Sequence, residues 1–274
     1  MNKKVECENI LIDFIINQFS FSHKKAKMLL TNNLIQVDGK IITKYNYQLK
    51  IGQIVNVNIY NKSKDIDIIY EDKDIIVINK EANLLTVSDG KKDINLYALV
   101  SDYVKKNNKN NKIFIVHRLD KETSGVILFA KNEYIKNKLQ NNWEEIALKR
   151  EYVAIVLGKI KNSGILRHYL KENENHYVYV NKTGKLAITN YQKIKENDKY
   201  SWLKIIIATG RKNQIRVQLK EIGNIILGDK KYGCHIPSKR MFLHAFKLVI
   251  IHPSTKKEIE FNAKIPKEFN CKIK

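Results

Sequence analysis

The sequence predicts an α+β protein, in which a large domain built on a mixed, mostly antiparallel sheet with flanking helices follows a small α/β domain. Beyond residue 68, apolar runs with strand character, such as IIVINK, VILFA and WLKIIIAT, outnumber helical segments. They do not alternate with helices as βαβ units would. A polar, charged stretch at 61–67, NKSKDID, precedes these runs and has the composition of a linker. We therefore place the small domain at 1–62 and the large domain at 63–274.

In the small domain, the residue pattern indicates two helices, a hairpin and a strand. Apolar residues at helical spacing predict a first helix over 9–19, and Ser22 is a candidate N-cap for the second. Asp38-Gly39 is a favoured turn between two short strands, and valines alternate with asparagines in the strand that follows. The second helix has an apolar face and a basic face, the latter formed by Lys24, Lys25 and Lys27. Taken alone, such a lysine cluster is more often a solvated helix face than a binding site.

In the large domain, the clearest helix is predicted over 132–149. Its apolar residues lie near one stripe, and they are Tyr134, Ile135, Leu139, Trp143, Ile146 and Ala147.

The composition favours a polyanionic partner and a reducing compartment. The 50 basic and 28 acidic residues give a formal charge of +22, which suits a nucleic acid but also a membrane surface or an acidic protein. Cys7, Cys234 and Cys271 lie far apart without a C-x-x-C pair, which predicts neither a disulfide framework nor a zinc ribbon. Polar residues interrupt the apolar segment ILIDFIINQF, so it is not expected to span a membrane. No Walker loop or G-x-G-x-x-G occurs, so no nucleotide cofactor is expected.

The segment VHRLDKETSG at 116–125 places charged and hydroxyl side chains between two apolar runs, 113–116 and 126–130, which indicate buried strands. A structural explanation is that Asp120 caps a turn while Arg118 forms a salt bridge at the edge of the sheet. A functional explanation is that the carboxylate and the guanidinium belong to a site at the end of these strands. Chemistry alone leaves both explanations open.

Two other kinds of site could use residues of the same segment. A nucleophilic triad of Ser124, His117 and Asp120 is disfavoured, because no G-x-S-x-G elbow occurs and the spacing is too tight. A metal site of His117, Asp120 and Asp229 lacks the usual ligand spacing, and Asp229 in GDKKYG is better explained by a turn. No metal is therefore expected.

HRLDKETSG resembles the signature of the RluA-type RNA pseudouridine synthases, and further motifs of that family follow in the same order. They are IIYEDKDIIVINKEANLL (68–85), REYVAIVLG (150–158), ATGRKNQIRVQL (208–219), ILGDKKYG (226–233) and RMFLHAFKLVIIHP (240–253). The resemblance covers 68–253. The first part of the chain, over about 10–60, resembles the ribosomal-protein S-four-like RNA-binding domain in its order of elements.

The resemblance implies a cofactor-free enzyme that isomerises uridines in structured RNA to pseudouridine. It gives Asp120 the catalytic role, makes Tyr152 the ring that stacks on the target base, and makes Arg216, expected on a strand, the partner that keeps Asp120 ionised. Arg118 would fill the gap left by the extruded nucleotide. Whether Asp120 adds to the sugar, adds to the base or removes a ribose proton stays open. The other residues expected to contact RNA are Lys24, Lys25, Lys27 and Lys80.

The chain departs from the family pattern at three places. Glu81 and Asn83 stand where the family usually has a proline and a glycine, which predicts a differently shaped loop after Lys80. Lys212 and Asn213 replace a commoner Thr-His pair beside the site, which bears on substrate preference. Lys121 stands where arginine is common.

The resemblance and the composition also give expectations about the substrate, the location of the protein and an alternative function. Large-subunit ribosomal RNA is the first candidate substrate and transfer RNA the second, and the protein is expected to be cytoplasmic, monomeric and not membrane-bound. The alternative is a non-catalytic RNA-binding or ribosome-assembly protein on the same fold.

Overall fold

The structure is a computed structural model, and it describes residues 1–31, 33–57, 66–88 and 95–272. The chain divides into two compact units, Met1–Asp65 and Ile66–Lys274. The boundary predicted between residues 62 and 63 lies outside the described residues. Across the described ranges, we find no helix with the length and apolar character needed to cross a membrane.

The first unit combines two helices with short strands. The elements are β1 (Asn2–Lys4), β2 (Asn9–Ile10), α1 (Leu11–Phe19), α2 (His23–Thr31), β3 (Ile35–Val37), β4 (Lys40–Ile41), β5 (Gln48–Leu49) and β6 (Ile54–Val57). The order β1-β6-β3-β4 forms one sheet, and β2 pairs with β5. Ser22 Oγ accepts a hydrogen bond from the Lys25 amide at 3.3 Å, as an N-cap does. Asp38 and Gly39 both have positive φ in the turn between β3 and β4, so the predicted hairpin is confirmed.

The second unit is built on one large sheet. Its strands are β7 (Ile68–Glu71), β8 (Ile75–Lys80), β9 (Phe114–Ile115), β10 (Ser124–Ala130), β11 (Lys149–Leu157), β12 (Ser163–Glu172), β13 (Val178–Val180), β14 (Lys185–Glu196), β15 (Tyr200–Ile207), β16 (Leu243–Ile251) and β17 (Glu258–Asn262). The strand order is β13-β12-β14-β15-β11-β16-β10-β8-β7, with β17 beside β16 and β9 beside β10. Among these strands the β10–β16 pair is parallel and the others are antiparallel. The predicted fold class is therefore confirmed.

Helices pack against the sheet and hold β10, the strand that follows the HRLD segment (residues 117–120), in place. They are α3 (Leu96–Asn107), α4 (Glu133–Asn141), α5 (Trp143–Ile146), α6 (Gln214–Glu221) and α7 (Lys267–Lys272), with a 3₁₀ turn at Lys230–Tyr232. Every residue of β10 is buried. One face of β10 packs in the cluster that contains α3, and the other packs in the cluster that contains α4. Burial on both faces explains the uninterrupted apolar run, and it anchors the end of the turn that precedes β10.

The close approach of β10 and β16 requires a glycine. Gly125 has a φ of 119°, and a Cβ at this position would lie 2.1 Å from the carbonyl oxygen of Ala245. A larger residue would therefore separate the two strands at the end where the HRLD segment enters the sheet.

Two sequence predictions are wrong in extent. The helix predicted over 132–149 is two helices, because Asn142 has φ −122° and ψ 28° and ends the first of them. Its side-chain amide donates to the Lys138 carbonyl at 3.4 Å, which illustrates how asparagine competes with helical hydrogen bonds. Tyr134, expected in the apolar stripe, is 70% exposed. The run at 113–116 contains only the two-residue strand β9.

Candidate active site

Asp120 lies in the turn between β9 and β10, and neighbouring backbone contacts fix its position. The amide of Thr123 donates to the Asp120 carbonyl at 3.2 Å. The hydroxyl of Thr86 donates to the Leu119 carbonyl at 2.9 Å. The Asp120 side chain is 27% exposed, so its carboxylate is accessible to a ligand while its backbone is held.

Arg216 lies far from Asp120 in the sequence but contacts it in the structure. Its side chain is 3% exposed, and its Nη1 donates to Asp120 Oδ2 at 3.0 Å. The same nitrogen donates to Glu122 Oε2 at 3.2 Å. The structure thus brings the two predicted partners together. The expectation that Arg216 lies on a strand is wrong, since it lies on the short buried helix α6.

Asp229 orients the guanidinium of Arg216. Arg216 Nε donates to Asp229 Oδ2 at 2.8 Å, and Nη2 donates to Asp229 Oδ1 at 2.7 Å, which is a bidentate pair. Although burial lowers the pKa of Arg216, Asp229 and then Asp120 raise it, so the net shift is upward and the guanidinium stays charged. Asp229 also accepts from the Tyr232 amide at 3.3 Å. The predicted turn role is therefore present, but sequence reasoning missed the pair with Arg216.

Asn213 also contacts the Asp120 carboxylate. With the amide orientation that satisfies its neighbours, Nδ2 donates to Asp120 Oδ2 at 2.7 Å and to Oδ1 at 3.1 Å, and its oxygen accepts from the Tyr232 hydroxyl at 3.0 Å. Asn213 has φ 52°, in the left-handed region that asparagine tolerates better than most residues. The sequence marked this position only as a departure beside the site, whereas the structure places it against the carboxylate.

A cleft of about 1020 Å³ opens beside these groups. Asp120 and Tyr152 both line it, together with Arg118, Arg150 and Asn213. This volume is at the upper end of the range of pockets that bind small organic ligands.

Tyr152 provides an aromatic wall of the cleft. It lies on β11, and its half-buried ring packs against two neighbouring apolar clusters, one that contains Ile205 and one that contains Ala245. Burial raises the pKa of its hydroxyl to about 12, with Arg150 opposing and Asp120 reinforcing the shift. The hydroxyl is therefore protonated near neutral pH and can donate a hydrogen bond.

The two remaining predicted residues of this unit differ in accessibility. Arg118 is exposed at the cleft, where it can contact RNA. Lys80 is 1% exposed, and its Nζ donates to the carbonyls of Glu81, Leu84 and Lys121 at 2.9, 2.8 and 3.1 Å. All three donors of the ammonium are used inside the protein, so these contacts do not support the RNA contact of Lys80, which stays a prediction. Lys80 instead ties its own loop to the segment that bears Asp120.

The loop after Lys80 keeps a glycine-like backbone. Asn83 has φ 65°, in the left-handed region that glycine favours. The replacement of glycine by asparagine therefore does not require a different turn at this position.

The alternatives to a carboxylate site do not assemble in the structure. Ser124 contacts His244 Nδ1 at 2.8 Å rather than His117. His117 Nε2 accepts from the Leu128 amide at 3.1 Å, and its ring stacks on Trp143 with centroids 4.7 Å apart. Burial lowers the pKa of His117 to about 3, so the ring is neutral. Because Asp120 and Asp229 both pair with Arg216, they do not form a metal site with His117.

In the first unit, the basic face of α2 is present as predicted. Lys24, Lys25 and Lys27 are exposed, whereas Ala26, Leu29 and Leu30 are buried. The Lys25 ammonium lies 3.8 Å from the centroid of the Phe21 ring. Three cations are therefore available on one helix face.

Comparison with known proteins relates the second unit to one family. Residues 74–221 match the family model described as RNA pseudouridylate synthase. Ribosomal large subunit pseudouridine synthase C of Rickettsia felis is 35% identical, over 95% of this chain and 80% of its own. Ribosomal large subunit pseudouridine synthase D of Buchnera aphidicola is 31% identical, over 91% of this chain and 88% of its own.

A solved structure shows the same fold. Human RNA Pseudouridylate Synthase Domain Containing 4 superposes with a TM-score of 0.62 at 22% identity, over 74% of this chain and 90% of that one.

Proposed function

The chain belongs to the RNA pseudouridylate synthase family, and we propose that it converts uridines of large-subunit ribosomal RNA to pseudouridine with Asp120 as the reacting carboxylate. The observation that carries the proposal is the Arg216–Asp120 pair, whose carboxylate opens to the same cleft as Tyr152. The carboxylate accepts a hydrogen bond from a buried guanidinium and faces the cleft, where it can act on the sugar or the base of a bound nucleotide. The names of the R. felis and B. aphidicola relatives support ribosomal RNA ahead of transfer RNA.

In this proposal Tyr152 binds the extruded nucleotide, and Arg118 takes its place in the RNA. The Tyr152 ring stacks on the target uracil, as aromatic side chains do with unstacked bases. Arg118, which is exposed at the cleft, occupies the gap in the RNA, because a planar guanidinium stacks like a base and neutralises phosphate charge. Extrusion costs a few kcal/mol, and these contacts offset it.

A non-catalytic RNA-binding protein would not require this arrangement. It has no need of a partly exposed carboxylate held by a buried arginine and an asparagine amide. These contacts support the catalytic alternative.

The test of substrate is a single-turnover assay run with and without EDTA. Large-subunit ribosomal RNA transcripts and transfer RNA transcripts are incubated separately with excess protein, and pseudouridine is quantified by mass spectrometry of the digested RNA. We expect product in the ribosomal transcript, with intact strands. Product only in transfer RNA would overturn the choice of RNA, absence of product in both would favour a binding protein, and EDTA-sensitive strand cleavage would indicate a metal-dependent hydrolase.

We also propose that the first unit is a ribosomal-protein S-four-like domain whose α2 lysines contact phosphates. Replacing Lys24, Lys25 and Lys27 together by glutamine should weaken RNA binding and reduce the slope of log K against log salt by about 2 to 3, since each phosphate contact contributes about 0.7 to 0.9. The single-turnover rate at saturating RNA should not change. The measurement is RNA affinity at several salt concentrations.

The matched control for this triple variant removes the same charge elsewhere. Lys105, Lys106 and Lys109 are also exposed, and their glutamine variant has the same net charge. An equal loss of slope in both variants would assign the effect to overall charge and contradict a site on α2.

We further propose a cytoplasmic monomer. The described site draws its carboxylates, guanidinium, amide and aromatic ring from one chain, so a second copy is not needed to complete it. The absence of a C-x-x-C pair fits a reducing compartment.

A further inference from the structure

Arg150 is a buried cation in the cleft that the roles above leave without a function. It lies near the start of β11, two residues before Tyr152, and is 9% exposed. Its Nη2 donates to the Ala208 carbonyl at 2.6 Å. Its Nε is buried without a hydrogen-bond partner. The guanidinium therefore retains unused donor capacity next to the ring assigned to base stacking.

The environment of Arg150 differs from that of Arg216 in its lack of carboxylate partners. Arg216 is buried to a similar degree and contacts three carboxylates, whereas no carboxylate of the described residues forms a salt bridge with Arg150. A buried charge without a counter-charge is unfavourable by several kcal/mol. Burial lowers the pKa of Arg150, with Tyr152 and Glu144 opposing this shift, but an arginine remains charged near neutral pH. A ligand that brings negative charge into the cleft would supply the missing partner.

Gly210 allows the backbone to approach the guanidinium of Arg150 closely. Gly210 lines the cleft, and a Cβ at this position would lie 3.0 Å from Arg150 Nη1. A glycine thus avoids a side chain at the point where Nη1 approaches the cleft.

The reaction itself generates negative charge on the base. When the bond between N1 of uracil and C1′ of ribose breaks, its electron pair stays with uracil, and the charge spreads to the O2 and O4 carbonyl oxygens. Bonding of C5 to C1′ consumes this charge, and the proton lost from C5 is balanced by the proton gained at N1. If a nucleophile adds to the base instead, negative charge again develops on a carbonyl oxygen. A preorganised cation near these oxygens lowers the barrier on either route.

We propose that Arg150 is a catalytic residue that contacts a carbonyl oxygen of the extruded uracil and stabilises the negative charge that develops there. This inference rests on the proposed function. A backbone phosphate is the other anionic group of the substrate, but Arg150 lies deep beside Tyr152. The more accessible Arg211 and Lys212 are better placed for phosphates at the same cleft.

The test compares Arg150→Met and Arg150→Lys with wild type at saturating RNA under single-turnover conditions. We expect the rate of uridine consumption to fall about 10²- to 10³-fold for Arg150→Met, the range found when one charge-stabilising donor is removed, and to fall less for Arg150→Lys. RNA affinity should change little. 5-Fluorouridine at the target position has no C5 proton to lose, so with this substrate the measured quantity is its disappearance on cleavage of the N1–C1′ bond. Because its base anion is more stable, the defect of Arg150→Met in this step should shrink by at least about tenfold.

Arg211→Met is the control for a phosphate contact, and it should weaken RNA binding and lower the salt slope by about 0.7 to 0.9. If Arg150→Met behaves in this way instead, Arg150 binds phosphate and the proposal is overturned. An equal defect with uridine and 5-fluorouridine would also overturn it.

Thermal unfolding separates a catalytic role of Arg150 from a structural one. Because Arg150→Met removes a buried charge that lacks a protein counter-charge, we expect a melting temperature at or above that of wild type. A lower melting temperature together with lost activity would assign Arg150 to the fold and contradict the proposal. If wild type itself fails to modify the RNA, the proposed function fails, and that outcome is distinct from a defect confined to the Arg150 variants.

Discussion

Replacing Asp120 by asparagine is expected to lower pseudouridine formation by at least about 10³-fold, with little change in RNA affinity. The amide keeps the shape of the side chain and can still accept a hydrogen bond from Arg216, but it has neither the negative charge nor the nucleophilicity of the carboxylate. The measured quantities are the single-turnover rate at saturating RNA and the dissociation constant of the RNA complex.

Glu122→Gln is the matched control for this variant. Glu122 contacts the same Nη1 of Arg216 at 3.2 Å, and its side chain is 41% exposed. Both substitutions change one carboxylate beside Arg216 to an amide, so they alter the local charge equally. We expect Glu122→Gln to retain most activity. Equal defects in the two variants would indicate that the charge balance around Arg216 matters, rather than the chemistry of Asp120.

Replacing Arg216 by methionine is expected to abolish activity and to lower the free energy of unfolding by about 3 to 5 kcal/mol, the usual effect of removing one partner of a buried ion pair. Asp229 is 1% exposed and would remain as a buried carboxylate without its bidentate partner. Asp120 would lose its guanidinium at the same time. Urea denaturation followed by circular dichroism measures the stability, and the single-turnover assay measures the activity.

A double variant separates the expected loss of activity from the expected loss of stability. Arg216→Met combined with Asp229→Leu replaces the buried pair by apolar side chains, which is often neutral or stabilising. We expect it to recover most of the lost stability and to remain inactive, because Asp120 still lacks its cation. Recovery of activity along with stability would contradict the role of Arg216 at Asp120.

The sequence could predict the pairing of Asp120 with Arg216 but not the element that brings it about. Ile215, Val217 and Leu219 alternate with polar residues, which is the pattern of a strand with one buried face. In the structure, residues 214–219 of α6 are all buried, including Arg216 and Gln218. A helix that is buried on all sides has no exposed polar stripe, so the helical spacing of apolar residues cannot be recognised in its sequence.

The internal role of Lys80 could not be predicted, because one of its three partners comes from a distant part of the chain. Its ammonium binds the Lys121 carbonyl, 41 positions further along the sequence. A lysine in a family of RNA-modifying enzymes suggests a phosphate contact, and only the packing of β8 against the HRLD segment makes it an internal donor. The pair of Asp229 with Arg216 was not predicted either, because a role in the turn was already a sufficient explanation for the aspartate.

Asp120, Arg118 and Tyr152, which line one cleft, share a local signal in the sequence. Asp120 and Arg118 lie in one short motif between two apolar runs, and Tyr152 lies on the buried strand β11, so their positions at the cleft follow from local sequence patterns. Asn213 precedes a helix and adopts a left-handed conformation, and neither its neighbours in sequence nor its residue type predicts contact with a carboxylate 93 positions away. Its place at the site depends on how α6 packs against the sheet.

The most direct measurement of the central claim is the single-turnover rate of the Asp120→Asn variant on the RNA that wild type modifies, at saturating protein. The claim that the carboxylate at this position performs the chemistry predicts no pseudouridine above background, an RNA dissociation constant close to that of wild type, and normal turnover by Glu122→Gln. Product formation by Asp120→Asn at more than about a tenth of the wild-type rate would contradict the claim, since that corresponds to a loss of less than about 1.4 kcal/mol of transition-state stabilisation.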